Sequence, residues 1–238
     1  MPFAASYEKT NSDETMKKII LTALLVIATI GATAQTNARV ATKKTTTTAT
    51  TKSATANAAQ ARKVLDKTAA VIGRKGGASA SFKISSAKIG STSGTIAIKG
   101  KKFHARTPQA IVWFNGKTQW SYLKSTDEVN ISTPTEAQQM AMNPYQFINM
   151  YKSGYTLSMT ASGSNYNVRL VAQNKKRSVQ EMYITVNKKT YIPSQVKMRE
   201  GGTWTTISVT GFKAQNQNDA TFVFNAKDFP SAELIDLR

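Results

Sequence analysis

From Ala80 onward the apolar residues fall on every second position in one short run after another. That period commits most of the chain to β-structure. Ala80, Phe82 and Ile84 alternate with Ser81, Lys83 and Ser85, and Ile96 and Ile98 alternate with Thr95, Ala97 and Lys99. The pattern returns at residues 103–106, at Val129 and Ile131, at Tyr155, Leu157 and Met159, and at Tyr166, Val168 and Leu170. It continues at Met182, Ile184 and Val186, at Ile192, Val196 and Met198, and at Thr205, Ile207 and Val209, with Phe222-Val223-Phe224 as the last run. Turn signals at residues 90–94, at Asn187-Lys188-Lys189, at Gly201-Gly202 and at residues 215–219 give the spacing of an antiparallel meander. The reading is about ten short strands with one apolar face each, hence a single curved sheet wrapped around its filling.

Helical spacing interrupts this in three places. Val64, Leu65, Thr68, Ala69 and Ile72 recur as one stripe over residues 58–72, and Lys75-Gly76-Gly77 follows as a stop. Thr133-Pro134-Thr135-Glu136 fits a capping box with proline in the first helical position. Asn143-Pro144 restarts the device, and Phe147, Ile148 and Tyr151 form a stripe that Gly154 ends. These last two helices are short and need a sheet to pack on, as its filling or its lid.

Before them lies an aromatic hairpin. Asn115-Gly116 is a two-residue turn signal, because a type I′ turn needs positive φ at both central residues. It predicts that Phe114 pairs with Lys117, Trp113 with Thr118 and Ile111 with Trp120. Ile111, Trp113, Trp120 and Tyr122 then share one face, and Val112, Phe114, Gln119 and Ser121 the other. The aromatic face is either ordinary core or the wall of a binding cavity.

The amino-terminal region reads differently. Met16-Lys17-Lys18, the apolar residues 19–30 and Ala32-Thr33-Ala34 have the order of a secretory signal peptide over residues 16–34. Residues 1–15 then lie upstream of the true start. The alternative is an uncleaved anchor, although the apolar run falls short of the roughly 18 residues that a spanning helix needs. Residues 35–59, rich in Thr and Ala with basic residues and no acid, read as a disordered tether. The folded domain is expected over residues 60–238. The whole chain holds 32 Lys+Arg against 13 Asp+Glu, net +19, of which +15 falls in residues 60–238. Such a charge favours anionic partners: lipid headgroups, polyanionic glycans or nucleic acid, the last disfavoured by export.

Little in the chain suits catalysis. With no cysteine there is no disulfide, no thiol nucleophile and no lipid-modified cysteine. His104 is the single histidine, so a multi-histidine metal site is excluded, and its place in an alternating strand reads as packing or solvation. Asp127-Glu128 is the nearest approach to paired acids, but neighbours on a strand point to opposite faces. Neither a phosphate-cradling glycine loop nor a serine elbow is present. No enzyme activity, cofactor or metal is expected. Apolar surface is what remains, and a curved sheet closed by helices can leave a pocket suited to acyl chains.

The hairpin Phe114-Asn115-Gly116-Lys117-Thr118-Gln119-Trp120-Ser121-Tyr122 resembles the Asp-Gly-Lys-Thr-x-Trp-x-Tyr hairpin of the periplasmic outer-membrane lipoprotein carrier (LolA-like) family. Residues 94–103 are similar to the strand pair before it, and Asn143-Pro144-Tyr145-Gln146-Phe147-Ile148 to a Thr-Pro helix start after it. Phe222-Val223-Phe224 and the tail Phe229-Pro230 to Ile235-Asp236 look like the family's closing Phe-x-Phe strand and Pro-Gly-Val-x-Val end. The resemblance covers most of residues 60–238. It implies an open, strongly curved antiparallel half-barrel, mainly β with a few helices covering the concave apolar face. Lys99-Gly100-Lys101-Lys102-Phe103 departs from the family, which has an Arg-Pro there whose arginine gates the lid. Lys101 is the candidate substitute latch, though lysine lacks the planar fork of arginine.

The expected function is that of a soluble, monomeric periplasmic carrier of acylated lipoproteins or related lipids. The cavity is expected to comprise Phe82, Ile84, Ile96, Ile98, Phe103, Ile111, Trp113, Trp120, Tyr122, Met140, Phe147, Ile148, Tyr151, Leu157 and Met159. An inner-membrane lipoprotein-releasing transporter and an outer-membrane acceptor are the partners the resemblance implies. An envelope sensor on the same scaffold, and a glycan-binding protein using Trp113, Trp120 and Trp204, are the alternatives.

Overall fold

The computed structural model describes residues 48–88, 90–135, 138 and 149–238. The expected signal peptide, most of the expected tether, and Met140, Phe147 and Ile148 of the two expected short helices lie outside these residues. Among the described residues a single α-helix, α1 (Thr48–Ile72), precedes the sheet. It begins upstream of residue 58, so residues 48–59 belong to the helix and the disordered segment expected there is corrected. An alanine-rich run without proline or glycine extends a helix readily once its end is held. The Asn57 side chain does the holding: it accepts from Met159 N (2.7 Å) and donates to Met159 O (2.9 Å).

Twelve strands follow: β1 (Ala78–Ser86), β2 (Gly90–Lys99), β3 (Lys102–Arg106), β4 (Ala110–Phe114), β5 (Gln119–Leu123) and β6 (Glu128–Ser132). After residues 133–154 come β7 (Tyr155–Ser162), β8 (Asn165–Ala172), β9 (Val179–Asn187), β10 (Pro193–Glu200), β11 (Thr203–Lys213) and β12 (Glu233–Asp236). They form one curved sheet in the order β12-β6-β5-β4-β3-β2-β1-β11-β10-β9-β8-β7. The sheet stays open, with β12 and β7 at its edges. All neighbours are antiparallel except β12, which runs parallel to β6.

The stripe on α1 is what the sheet curves around. Ala61, Val64 and Leu65 sit in one core with Leu157, Met159, Val168, Leu170, Met182, Ile184, Val186, Val196 and Met198. One helical turn further, Ala69 and Ile72 join a second core with Ala78, Ile98, Phe103, Ala105, Val112 and Phe114. Thr68, fully buried between the two, satisfies its hydroxyl by donating to Val64 O (3.0 Å). The face of the sheet towards α1 is therefore the concave, apolar one.

Three local readings are corrected. The hairpin pairs Phe114 with Gln119, Trp113 with Trp120 and Ile111 with Tyr122, two positions from the expected register. Asn115 Oδ1 accepts from Lys117 N (2.9 Å) and Thr118 N (2.8 Å), which makes Asn115 the residue before the loop. Gly116, at φ 99°, then opens a Gly-first loop. The capping box forms two residues later than expected, at Thr135 and Gln138 instead of Thr133 and Glu136. Gln138 N donates to Thr135 Oγ1 (3.3 Å), and Gln138 Oε1 accepts from Thr135 N (2.8 Å). Finally, Phe222-Val223-Phe224 is not a strand. Asp219–Phe222 is a 3-10 turn capped by Asn218, and the closing strand is β12 instead.

Candidate functional site

The register assigns each predicted cavity residue to a face. Directly paired residues share a face, so the pairs Phe103–Phe114, Ile98–Phe103, Ala80–Ile96 and Ile84–Ile207 extend the α1-facing side across the sheet. Phe82, Ile84, Ile96, Ile98, Phe103, Leu157 and Met159 lie on that concave side. Tyr151, shortly before β7, joins the same core, and its hydroxyl donates to Asp66 on α1. The Arg62 guanidinium sits 5.9 Å from the centre of the Tyr151 ring. Met140, Phe147 and Ile148 lie outside the described residues.

Ile111, Trp113, Trp120 and Tyr122 are on the other face. They are corrected from the cavity wall to the outer surface of β4 and β5, with Val112 and Phe114 pointing inward in their place. A second layer covers them. The chain after β11 is tied at one end by Gln217 N to Gly76 O (2.8 Å) and by Lys99 Nζ to Gln217 O (3.1 Å). Lys99 and Lys102 both donate to Asp219 Oδ1, at 3.0 and 3.1 Å. From there the segment places Phe224 and Phe229 edge-on against Trp113, with ring centres at 5.4 and 5.5 Å. Phe229 also meets Tyr122 at 4.6 Å, and Tyr122 donates its hydroxyl to Asp127 (2.9 Å). His104 stacks flat on Trp113 at 5.4 Å, and burial, then the Arg106 charge, pulls its pKa down. A half-buried imidazole held neutral against an indole is a packing residue.

Lys101 sits in the exposed β2–β3 turn next to Gly100, while its neighbours Lys99 and Lys102 make the ion pairs that hold the carboxy-terminal segment. Those pairs are partly solvated and act as a local tie rather than a large source of stability.

The concave face is not equally covered. The residues facing α1 in β7–β10 and in β3–β4 are buried. In the middle, on β11, β1 and β2, the apolar residues Phe82, Ile84, Ile96, Ile207 and Val209 are only half-buried. Phe82 lies across Gly94, where an added Cβ would stand 2.9 Å from the ring and 2.0 Å from Arg106 O. The bare glycine lets the ring lie flat on the sheet. One end of this strip is marked by Glu200, whose burial raises its carboxyl pKa against the opposing effect of Lys88. Sequence reasoning missed Ile207 and Val209 as strip residues. The signal was there in the alternation of β11, but only the pairing with Ile84 and Phe82 places them.

This strip is an apolar floor. Among the described residues no group of three or more His, Cys, Asp or Glu could hold a metal, and no helix is long and apolar enough to cross a membrane.

Comparison with known proteins agrees with the geometry. The family model described as outer membrane lipoprotein carrier protein LolA matches residues 51–202. No curated protein matches the sequence. Among solved structures, an uncharacterised conserved protein from Thermus thermophilus superposes with a TM-score of 0.51 at 14% identity, over 74% of this chain and 99% of that one. A LolA superfamily protein from Nitrosomonas europaea gives 0.38 at 9% identity, over 69% and 97% of the two chains. MucB in its complex with MucA from Pseudomonas aeruginosa gives 0.41 at 10%, over 71% and 62%. With the family model covering most of the chain and the open curved sheet in place, the chain belongs to the outer membrane lipoprotein carrier (LolA) family.

Proposed function

We propose that this protein is a non-catalytic carrier, exported to the periplasm, that holds the acyl chains of lipoproteins or a related lipid on the half-open strip of its concave face. One observation carries this reading: Phe82, Ile84, Ile96, Ile207 and Val209 form a continuous apolar floor that α1 leaves half-exposed, flanked on both sides by buried core. An acyl chain laid there gains about 0.8 kcal/mol per buried CH₂, so a modest length suffices for useful affinity. No proton or metal is needed for capture or release. Release then falls to partners that offer the chain an equal or better apolar surface, an inner-membrane transporter on one side and an outer-membrane acceptor on the other. The glycan-binding alternative built on three tryptophans loses its platform, because Trp113 is buried beneath Phe224 and Phe229.

Displacement of a fluorescent fatty acid from the purified protein tests the proposal. Ile84→Glu is expected to weaken binding at least about tenfold, because a charge on the floor loses its water when the chain lands. Its melting temperature should stay close to that of the parent, since the position is already half-exposed. Equal binding by parent and variant would refute the proposal. Mass spectrometry of lipid co-purified from the periplasm then names the cargo.

A further inference from the structure

The outer face of β8–β11 carries a cluster that the acyl-chain reading does not use. Two rows of side chains cross the strands there. Arg169, Tyr183 and Lys197 are paired across β8, β9 and β10, and Glu181, Arg199 and Trp204 across β9, β10 and β11. Glu181 is the hub. It accepts from Arg169 Nε (2.7 Å) and Tyr183 Oη (2.8 Å) on one oxygen and from Arg199 (3.3 Å) on the other. Lys197 Nζ lies 4.8 Å and the Arg199 guanidinium 5.8 Å from the centre of the Trp204 ring. Two arginines are thus held on one acid and Lys197 on the neighbouring indole, and the excess positive charge faces solvent. Arg199 Nε has no acceptor among the described residues.

We propose that this patch is a binding site for an acidic polysaccharide, with Lys197, Arg199 and Arg169 taking its anionic groups and the exposed Tyr183 ring lying under a sugar. The inference is independent of the carrier proposal, because it uses the opposite face of the sheet. Four features select this class of partner. The cations are pre-ordered by hydrogen bonds and by the indole, so little side-chain freedom is lost when they bind. Arg169 and Lys197 stand two strands apart, about 10 Å, comparable to two linked sugar rings. The surroundings are rich in hydroxyls and amides (Thr206, Thr185, Asn167, Ser158) that suit a hydroxylated ligand. A lipid bilayer fits poorly, because Tyr183 is the single exposed large apolar side chain there, and the others, Val223, Leu234 and Leu237, sit on the carboxy-terminal segment.

The test measures binding of the full chain to polygalacturonate and dextran sulfate, with neutral dextran, polyglutamate and phosphatidylglycerol vesicles as comparisons. The double variant Lys197→Gln with Arg199→Gln is set against Lys175→Gln with Lys176→Gln, which removes the same charge from the exposed β8–β9 loop. The site predicts at least about a tenfold loss of affinity for an acidic polysaccharide in the first pair and little change in the second, with circular dichroism and acyl-chain binding unaltered in both. Binding should weaken with added salt. An equal loss in both pairs would reduce the effect to diffuse charge and overturn the site. Tighter binding to polyglutamate or to vesicles than to either acidic polysaccharide would overturn the choice of partner.

Discussion

The two halves of the sheet solve burial in opposite ways. In β7–β10 one face is apolar and lies under α1, while the other is hydroxyls, amides and charge, as in the buried-exposed alternation of β7. In β4 every residue from Ala110 to Phe114 is buried, because α1 and its core cover one side and Phe224 and Phe229 cover the other. The first half is a wall around a filling. The second is a middle layer between two coverings. The two proposed sites follow the division: the first half has a polar outer face, and the strip between the halves is the least covered part of the concave face among the described residues.

If that contrast is right, the largest effect comes from the doubly covered half. Trp113→Ala should cost about 3–5 kcal/mol, because it empties a buried site between the sheet and the carboxy-terminal segment. It should leave the acyl-chain affinity of the remaining folded protein nearly unchanged, and calorimetry beside the displacement assay reads both. A loss of affinity without a loss of stability would return Trp113 to the cavity wall.

The smallest effect is expected at the tie that holds the covering segment. Hydrogen bonds from Lys99 and then Lys102 keep the Asp219 carboxyl below its ordinary pKa. A depressed carboxylate contributes stability that is present above its unfolded value and lost as the pH falls through the folded one. Asp219→Asn should therefore lower the melting temperature slightly at neutral pH, and the difference from the parent should vanish in acid. A gap that widened in acid would mean the carboxyl is not held in its charged form.

The same contrast explains what the sequence could reveal. On β1, β7 and β8 the alternation of apolar with polar residues names the inner face outright, and the α1 stripe from Val64 to Ile72 matches what the sheet encloses. On β4 both faces are apolar, so period two cannot say which is inside, and on β5 the apolar side chains Trp120 and Tyr122 face outward while Gln119 and Ser121 face inward. The larger aromatics, Trp113, Trp120 and Tyr122, pointed to the wrong one. The register error in the hairpin did no further harm, because a slip of two residues keeps every side chain on its own face. Nor could local pattern show that Phe224 and Phe229, far along the chain, supply the outer covering. Phe222-Val223-Phe224 looks like a strand, but Asn218 caps a tight turn that ends in Phe222 and Asn225 caps another just after Phe224. The missing cysteines, the lone histidine and the scattered acids were legible from composition. They left burial of apolar surface as the tool available.

The central claim is that acyl chains meet the strip on β1 and β11 and not the aromatic face of the hairpin. A chain without cysteine allows a direct test. Ile84→Cys and Trp120→Cys, each labelled with an environment-sensitive dye, are titrated with a long-chain fatty acid. The dye at position 84 should shift to the blue and saturate with the acyl chain, while the dye at position 120 stays unchanged. A response at position 120 with none at position 84 would contradict the account.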